Sequence, residues 1–223
     1  MDTQQYLLQL TEALLAQADP ERAKREKAYM RNKFEFIGMS AAVRRNIVKE
    51  HNAKFEKPGP DSWKELVDKL WEQPYREFQH IAIDILDKSK KLLKRDDLPF
   101  LESLVLRKSW WDTVDGIAAN TFGSYFKLFP EKISRTADYI NGDNFWLQRV
   151  AILFQLKYKK DLDTDLLSRY INQLSTSKEF FIQKAVGWVL REYAKTNPTW
   201  VVNFVHSNDL KPLSRREALK NIK

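Results

Sequence analysis

The chain has 223 residues, with 38 Lys+Arg against 30 Asp+Glu and a formal net charge of +8. That length can bury a core as one domain or as one continuous stack of repeats, and the charge favours a polyanionic partner, nucleic acid or an anionic membrane surface. With no cysteine, disulfides, thiolate metal sites, iron–sulfur clusters and thiol catalysis are excluded, and His51, His80 and His206 show no paired ligand spacing, so neither metal nor cofactor is expected.

Met1-Asp2-Thr3-Gln4-Gln5 carries no basic n-region, and charges interrupt every apolar run before it reaches membrane-spanning length. The simplest expectation is an intracellular protein with no membrane association. Tyr29, in Lys27-Ala28-Tyr29-Met30-Arg31, reads as an ordinary residue of an amphipathic helix. Lys57-Pro58-Gly59-Pro60-Asp61 is the only candidate linker and is too short to imply a second domain, so residues 1–223 are expected to form one. Helical spacing continues in Leu66, Leu70 and Trp71, then in Ile81, Ile85 and Leu92. Further breaks fall at Gln73-Pro74, Phe129-Pro130, Asn141-Gly142-Asp143-Asn144, Ser175-Thr176-Ser177 and Thr196-Asn197-Pro198. Strand-like alternation is not sustained anywhere. The fold class is therefore all-α.

The segments between the breaks repeat. Glu179-Phe180-Phe181-Ile182-Gln183-Lys184-Ala185 resembles Asn144-Phe145-Trp146-Leu147-Gln148-Arg149-Val150, 35 positions earlier. Equal steps back reach Val114-Asp115-Gly116, Gln79-His80-Ile81 and Arg44-Arg45-Asn46; a step forward reaches Arg216-Glu217-Ala218. A period of this size predicts an α-helical solenoid of stacked helix pairs. Equivalent positions then line one wall, so Arg45, His80, Asp115, Arg149 and Lys184 are expected in a row, with the one acid near its middle.

The densest chemistry lies in Lys108-Ser109-Trp110-Trp111-Asp112-Thr113-Val114-Asp115. On a helix Trp111 and Asp115 share a face, four residues apart. Adjacent Trp110 and Trp111 cannot both face one side, so one is expected inside and the other turned away. Asp115 is the candidate catalytic acid; Asp112, nearer the helix start, suits the macrodipole better. Trp188 follows Lys184 by four residues, as Trp111 precedes Asp115 by four, so both tryptophans can border one cleft. Arg149, Lys157, Lys184 and Arg191 are either a solvated basic face or phosphate contacts. Arg149 sits inside the apolar run Trp146–Leu153, where a charge needs a reason. Ser214-Arg215-Arg216-Glu217 reads as a capping box.

Three stretches carry a family resemblance: Lys108–Asp115, Asp143–Tyr158 and Ser177–Tyr193. Through them the chain resembles the AlkD family of alkylpurine DNA glycosylases, bacterial enzymes of HEAT-like repeats, over nearly its whole length. The resemblance implies a right-handed α-α superhelix of about six such repeats with a concave basic face. It implies that Asp115, the second acid of the Trp-Trp-Asp-x-Val-Asp tract, is catalytic, and that Trp111, Trp188 and Tyr29 border the lesion. Arg149, Lys157 and Arg191 match family positions that hold the DNA backbone; Lys184 and Arg45 join them from the row of equivalent repeat positions. Where the family carries a Thr-Pro step after Phe36-Ile37-Gly38, this chain reads Met39-Ser40-Ala41-Ala42, and no DNA contact is carried over from that loop.

The implied reaction is hydrolysis of the N-glycosidic bond of a cationic N3- or N7-alkylated purine in double-stranded DNA. Such a base needs no general acid, and the lesion is handled without conventional base flipping. A cytoplasmic bacterial monomer, nucleoid-associated when bound, is the implied setting. The competing expectation is an inactive HEAT-repeat protein that binds DNA or scaffolds other proteins.

Overall fold

The computed structural model describes residues 2–55 and 62–222, so the Lys57–Asp61 break lies outside the described residues. The chain is all-α. In order the helices are α1 (Thr3–Leu15), α2 (Pro20–Tyr29), α3 (Ala41–Lys54), α4 (Trp63–Glu72), α5 (Arg76–Ser89), α6 (Leu98–Leu106) and α7 (Trp111–Gly116). They continue with α8 (Gly123–Leu128), α9 (Arg135–Asn141), α10 (Phe145–Leu153), α11 (Thr164–Gln173), α12 (Phe180–Tyr193), α13 (Pro198–Ser207) and α14 (Pro212–Leu219). Extended pairing among the described residues is an isolated bridge between Glu35 and Tyr75. By contact the chain divides into two compact units, Met1–Lys91 and Leu92–Lys223.

The breaks work as caps. Asn144 accepts from the amides of Trp146 and Leu147 to start α10, and Asn197 accepts from Trp200 ahead of Pro198 to start α13. Each side chain satisfies a backbone donor that the first helical turn leaves without a partner. Leu10, Leu14, Val67, Leu70, Trp71 and Phe78 form the core of the N-terminal unit; Val114, Ile117, Phe122, Val150, Phe154 and Val189 lie in that of the other.

Side-chain bonds join positions about one repeat apart. Tyr158 donates to the Gly123 carbonyl 35 positions back, Thr136 meets Tyr170 34 positions on, and Tyr139 donates to Glu102 across 37. In the N-terminal unit Arg44 reaches Asp84 across 40. Stacked HEAT-like helix pairs produce this pattern, because each repeat touches its neighbours.

Two local features bear on the site residues. The Phe36–Met39 loop is buried, and the Glu77 carboxylate accepts from the amides of Ile37 (3.1 Å) and Gly38 (2.8 Å). Gly38 has φ +94°, and a Cβ there would lie 2.1 Å from the Asp19 carbonyl oxygen, so only glycine fits. The Asp19 amide donates to the Ile37 carbonyl, and its carboxylate caps α2 at Arg22. The loop therefore fixes the start of the helix that ends in Tyr29. Farther on, α7 runs into a π-helical segment, Ile117–Phe122, before α8 resumes the α form. Such wide turns inside helices collect at functional sites, and this one begins two residues past Asp115.

Candidate active site

The tryptophan pair splits at the start of α7, where Trp110 is still in extended backbone and Trp111 is the first helical residue. Trp110 is buried, its ring centroid 5.8 Å from that of Trp146 and 5.1 Å from that of Phe181. Trp111, the first residue of α7, is half-buried. Trp110 also supplies the carbonyl that accepts from the Val114 amide, so the inward tryptophan anchors the helix carrying Asp115.

Asp115 meets Arg149 of α10 as a two-pronged pair. Arg149 Nε donates to Oδ1 at 2.7 Å and Nη2 to Oδ2 at 2.8 Å, while Nη1 donates to the Phe181 carbonyl at the start of α12. Parallel charge-assisted bonds of this kind fix orientation as well as charge. The two partners differ in exposure: the Arg149 side chain is 5% exposed, that of Asp115 16%. The guanidinium lies beneath and the carboxylate keeps an open edge. Each carboxylate oxygen uses one lone pair on Arg149 and retains another. Burial pushes the Asp115 carboxyl above its ordinary range; Arg149 opposes that shift and Asp112 adds to it.

All three Arg149 nitrogens bond within the protein, using three of the five N–H donors of the guanidinium, and its side chain turns inward. The charge inside the apolar run of α10 is thus paired with Asp115.

Lys184 and Arg191 on α12 converge on Glu217 of α14. Lys184 Nζ lies 3.1 Å from Oε1, and Arg191 Nη1 donates to Oε2 at 2.5 Å. Lys184 hydrogen bonding, against a smaller desolvation cost and with Arg191 adding to it, holds the Glu217 carboxyl below its ordinary range. The capping-box reading is thereby overturned. Ser214 lies inside α14 and donates to the Gln183 carbonyl, while Glu217 faces α12. A local motif lost to tertiary partners. The two helices come this close because residue 187 is glycine: a Cβ there would stand 2.4 Å from Glu217 Cβ.

Lys157 and Trp188 are brought together. Both line a cleft of about 820 Å³, with Leu156, Lys159, Leu162 and the last turns of α12. Lys157 is exposed and its ammonium donates to Asn120 Oδ1, on the π-helical segment. The two remaining expected residues belong to the N-terminal unit. Tyr29 is 71% exposed at the end of α2. Arg45 is exposed and shares Asp84 with buried Arg44. The Phe36–Met39 loop turns its amides inward onto Glu77, so its lack of a Thr-Pro step removes nothing from these contacts.

Sequence reasoning missed three partners. Glu217 had a signal, since it stands 33 positions after Lys184 in the Arg216-Glu217-Ala218 phase of the repeat. Asn120 carried only its spacing from Lys157. The Phe181 carbonyl carried none, because a backbone acceptor leaves no trace in side-chain identity. Among the described residues no group of three or more His, Asp or Glu side chains is placed to hold a metal ion, and no helix is long and apolar enough to cross a membrane.

Comparison with known proteins gives a consistent result. A family model described as "DNA alkylation repair enzyme" matches residues 10–222. A solved structure from Enterococcus faecalis, described as a predicted DNA alkylation repair enzyme, superposes with a TM-score of 0.84 at 33% identity, covering 92% of this chain and 97% of that one. A search of curated proteins found no match.

Proposed function

The chain belongs to the family of DNA alkylation repair enzymes, and on that premise we propose that it is a monofunctional glycosylase for cationic N3- or N7-alkylated purines in duplex DNA. The observation that carries this reading is the carboxylate of Asp115, oriented from beneath by Arg149 and open along one edge.

An alkylated purine already bears positive charge. When the bond from C1′ to the base breaks, its electron pair goes to the purine, which leaves neutral without prior protonation. Positive charge then develops on the deoxyribose, as in other glycoside hydrolyses. Asp115 stabilises that centre through space and accepts a hydrogen bond from the attacking water, whose proton passes to solvent. Arg149 is assigned to hold Asp115 rather than to bind phosphate. Trp111, Trp188 and Tyr29 add cation–π attraction, about 0.5–2 kcal/mol each depending on desolvation. Lys157, Lys184, Arg191 and Arg45 supply phosphate contacts that carry no sequence preference. Selection then rests on charge and bond lability rather than on a pocket enclosing a flipped base.

The test is release of methylated base from N-methylated duplex DNA, wild type beside Asp115→Asn. The variant is expected to be slower by about 10²–10³-fold while retaining its fold and DNA affinity, and uracil-containing DNA should be untouched. Equal rates for the two proteins, no release by wild type, or efficient uracil excision would each overturn the reading.

A further inference from the structure

Four described non-glycine residues have a left-handed backbone, Arg31, Asn32, Lys108 and Lys159. Asparagine tolerates that conformation through its short polar side chain; a long cation gains no such relief, and the conformation is strained for an ordinary L-residue. Yet three of the four are cations. Each lies close in sequence to a residue of the site: Arg31 two after Tyr29, Lys108 three before Trp111, Lys159 two after Lys157. Strain kept at residues with long charged side chains, where glycine would remove it, points to use of the charge.

Lys159 is the clearest case. It has φ 54° and opens the short 3₁₀ turn Lys159–Asp161 between α10 and α11. It lines the cleft that holds Lys157 and Trp188. The other charges that line this cleft are committed: Lys195 pairs with Glu192 at 2.6 Å, and Lys157 donates to Asn120. The Lys159 ammonium is exposed and has no hydrogen-bond or ion-pair partner among the described residues. A cation without a protein partner, at the mouth of a cleft walled by an indole ring, fits a phosphodiester whose neighbouring sugar or base lies against Trp188.

We propose that Lys159 is a DNA-phosphate contact of the Trp188 cleft, held there by a left-handed backbone that the turn keeps despite its strain. The proposal rests on the DNA-repair function and adds to it a binding residue that the family resemblance did not supply.

The experiment compares duplex DNA binding, across salt concentrations, and thermal unfolding for wild type, Lys159→Gly, Lys159→Ala and Lys159→Arg. Glycine removes the charge and the strain together, alanine removes the charge alone, and arginine keeps both. Lys159→Gly and Lys159→Ala are expected to weaken binding equally and to lower the slope of log affinity against log salt by about 0.9, the value for one phosphate contact. The wild-type advantage over either should therefore shrink by about threefold between roughly 50 and 200 mM salt. Lys159→Gly should melt above Lys159→Ala, and Lys159→Arg should keep the wild-type slope. Wild-type affinity and slope in Lys159→Gly would overturn the proposal even with base release intact. Absence of DNA binding by wild type would instead overturn the function on which it rests.

Discussion

Replacing Arg149 with methionine separates orientation from charge at the Asp115 pair. Methionine keeps much of the side-chain volume, so the main loss is the guanidinium: two bonds of 2.7 and 2.8 Å to the carboxylate and one to the Phe181 carbonyl. Removing one member of a buried ion pair costs about 3–5 kcal/mol. Asp115 keeps an exposed edge, and water there reduces the figure to about 2–4 kcal/mol. For a chain of this length that lowers Tm by roughly 5–15 °C. Removing both partners should cost less, since Asp115→Asn with Arg149→Met leaves no unpaired charge. Acidity moves in a defined direction as well. Burial already holds the Asp115 carboxyl above its ordinary range, with Arg149 opposing; without Arg149 it climbs further. The acid limb of the kcat/KM profile for base release should therefore move to higher pH. Stability shifts with it. A carboxyl whose folded value lies above its unfolded value favours the folded chain below that window, and the increment is lost as pH rises through it. Melting curves and a pH series of methylated-base release on the single and double variants measure all of this. An unchanged Tm together with an unchanged acid limb would refute the assignment of Arg149 as the group that orients Asp115.

Glu217→Gln should strengthen duplex binding and steepen its salt dependence, because Lys184 and Arg191 lose a competing carboxylate; titration showing equal or weaker binding would count against those two cations as phosphate contacts. The same variant should melt about 2–4 °C below wild type near neutral pH. The gap should close as pH falls through the lowered Glu217 value, since a depressed carboxyl stabilises the fold above its ordinary range and stops doing so once protonated. Gly187→Ala places a methyl 2.4 Å from Glu217 Cβ and 3.0 Å from the Ser214 carbonyl oxygen. Overpacking of that kind costs about 1–3 kcal/mol, and a denaturant titration with an unshifted midpoint would show that α14 yields instead.

What the sequence revealed depended on where each partner lay. The 35-residue period placed Asp115 and Arg149 in equivalent positions one repeat apart, and the structure joins them across 34 residues. Helical spacing predicted that Trp110 and Trp111 part, and they do, although Trp110 precedes α7 in extended backbone and the split comes from the helix start. The inward turn of Arg149 onto Asp115 and the Phe181 carbonyl was not legible, because residue spacing does not record which way a guanidinium points. Ser214–Glu217 misled for the opposite reason: its local motif is well formed, but Lys184, Arg191 and the Gln183 carbonyl compete for the same groups and win. The π-helical segment after α7 and the left-handed turn at Lys159 were invisible, since both depend on backbone torsions that no side-chain pattern marks.

Among the described residues, the side-chain bonds between neighbouring repeats have a mechanical consequence. A load applied at one joint is shared with its two neighbours and then dies away, as along a bicycle chain rather than a girder. Within the C-terminal unit each joint can then yield by itself, while the fork beneath Asp115 keeps its own geometry.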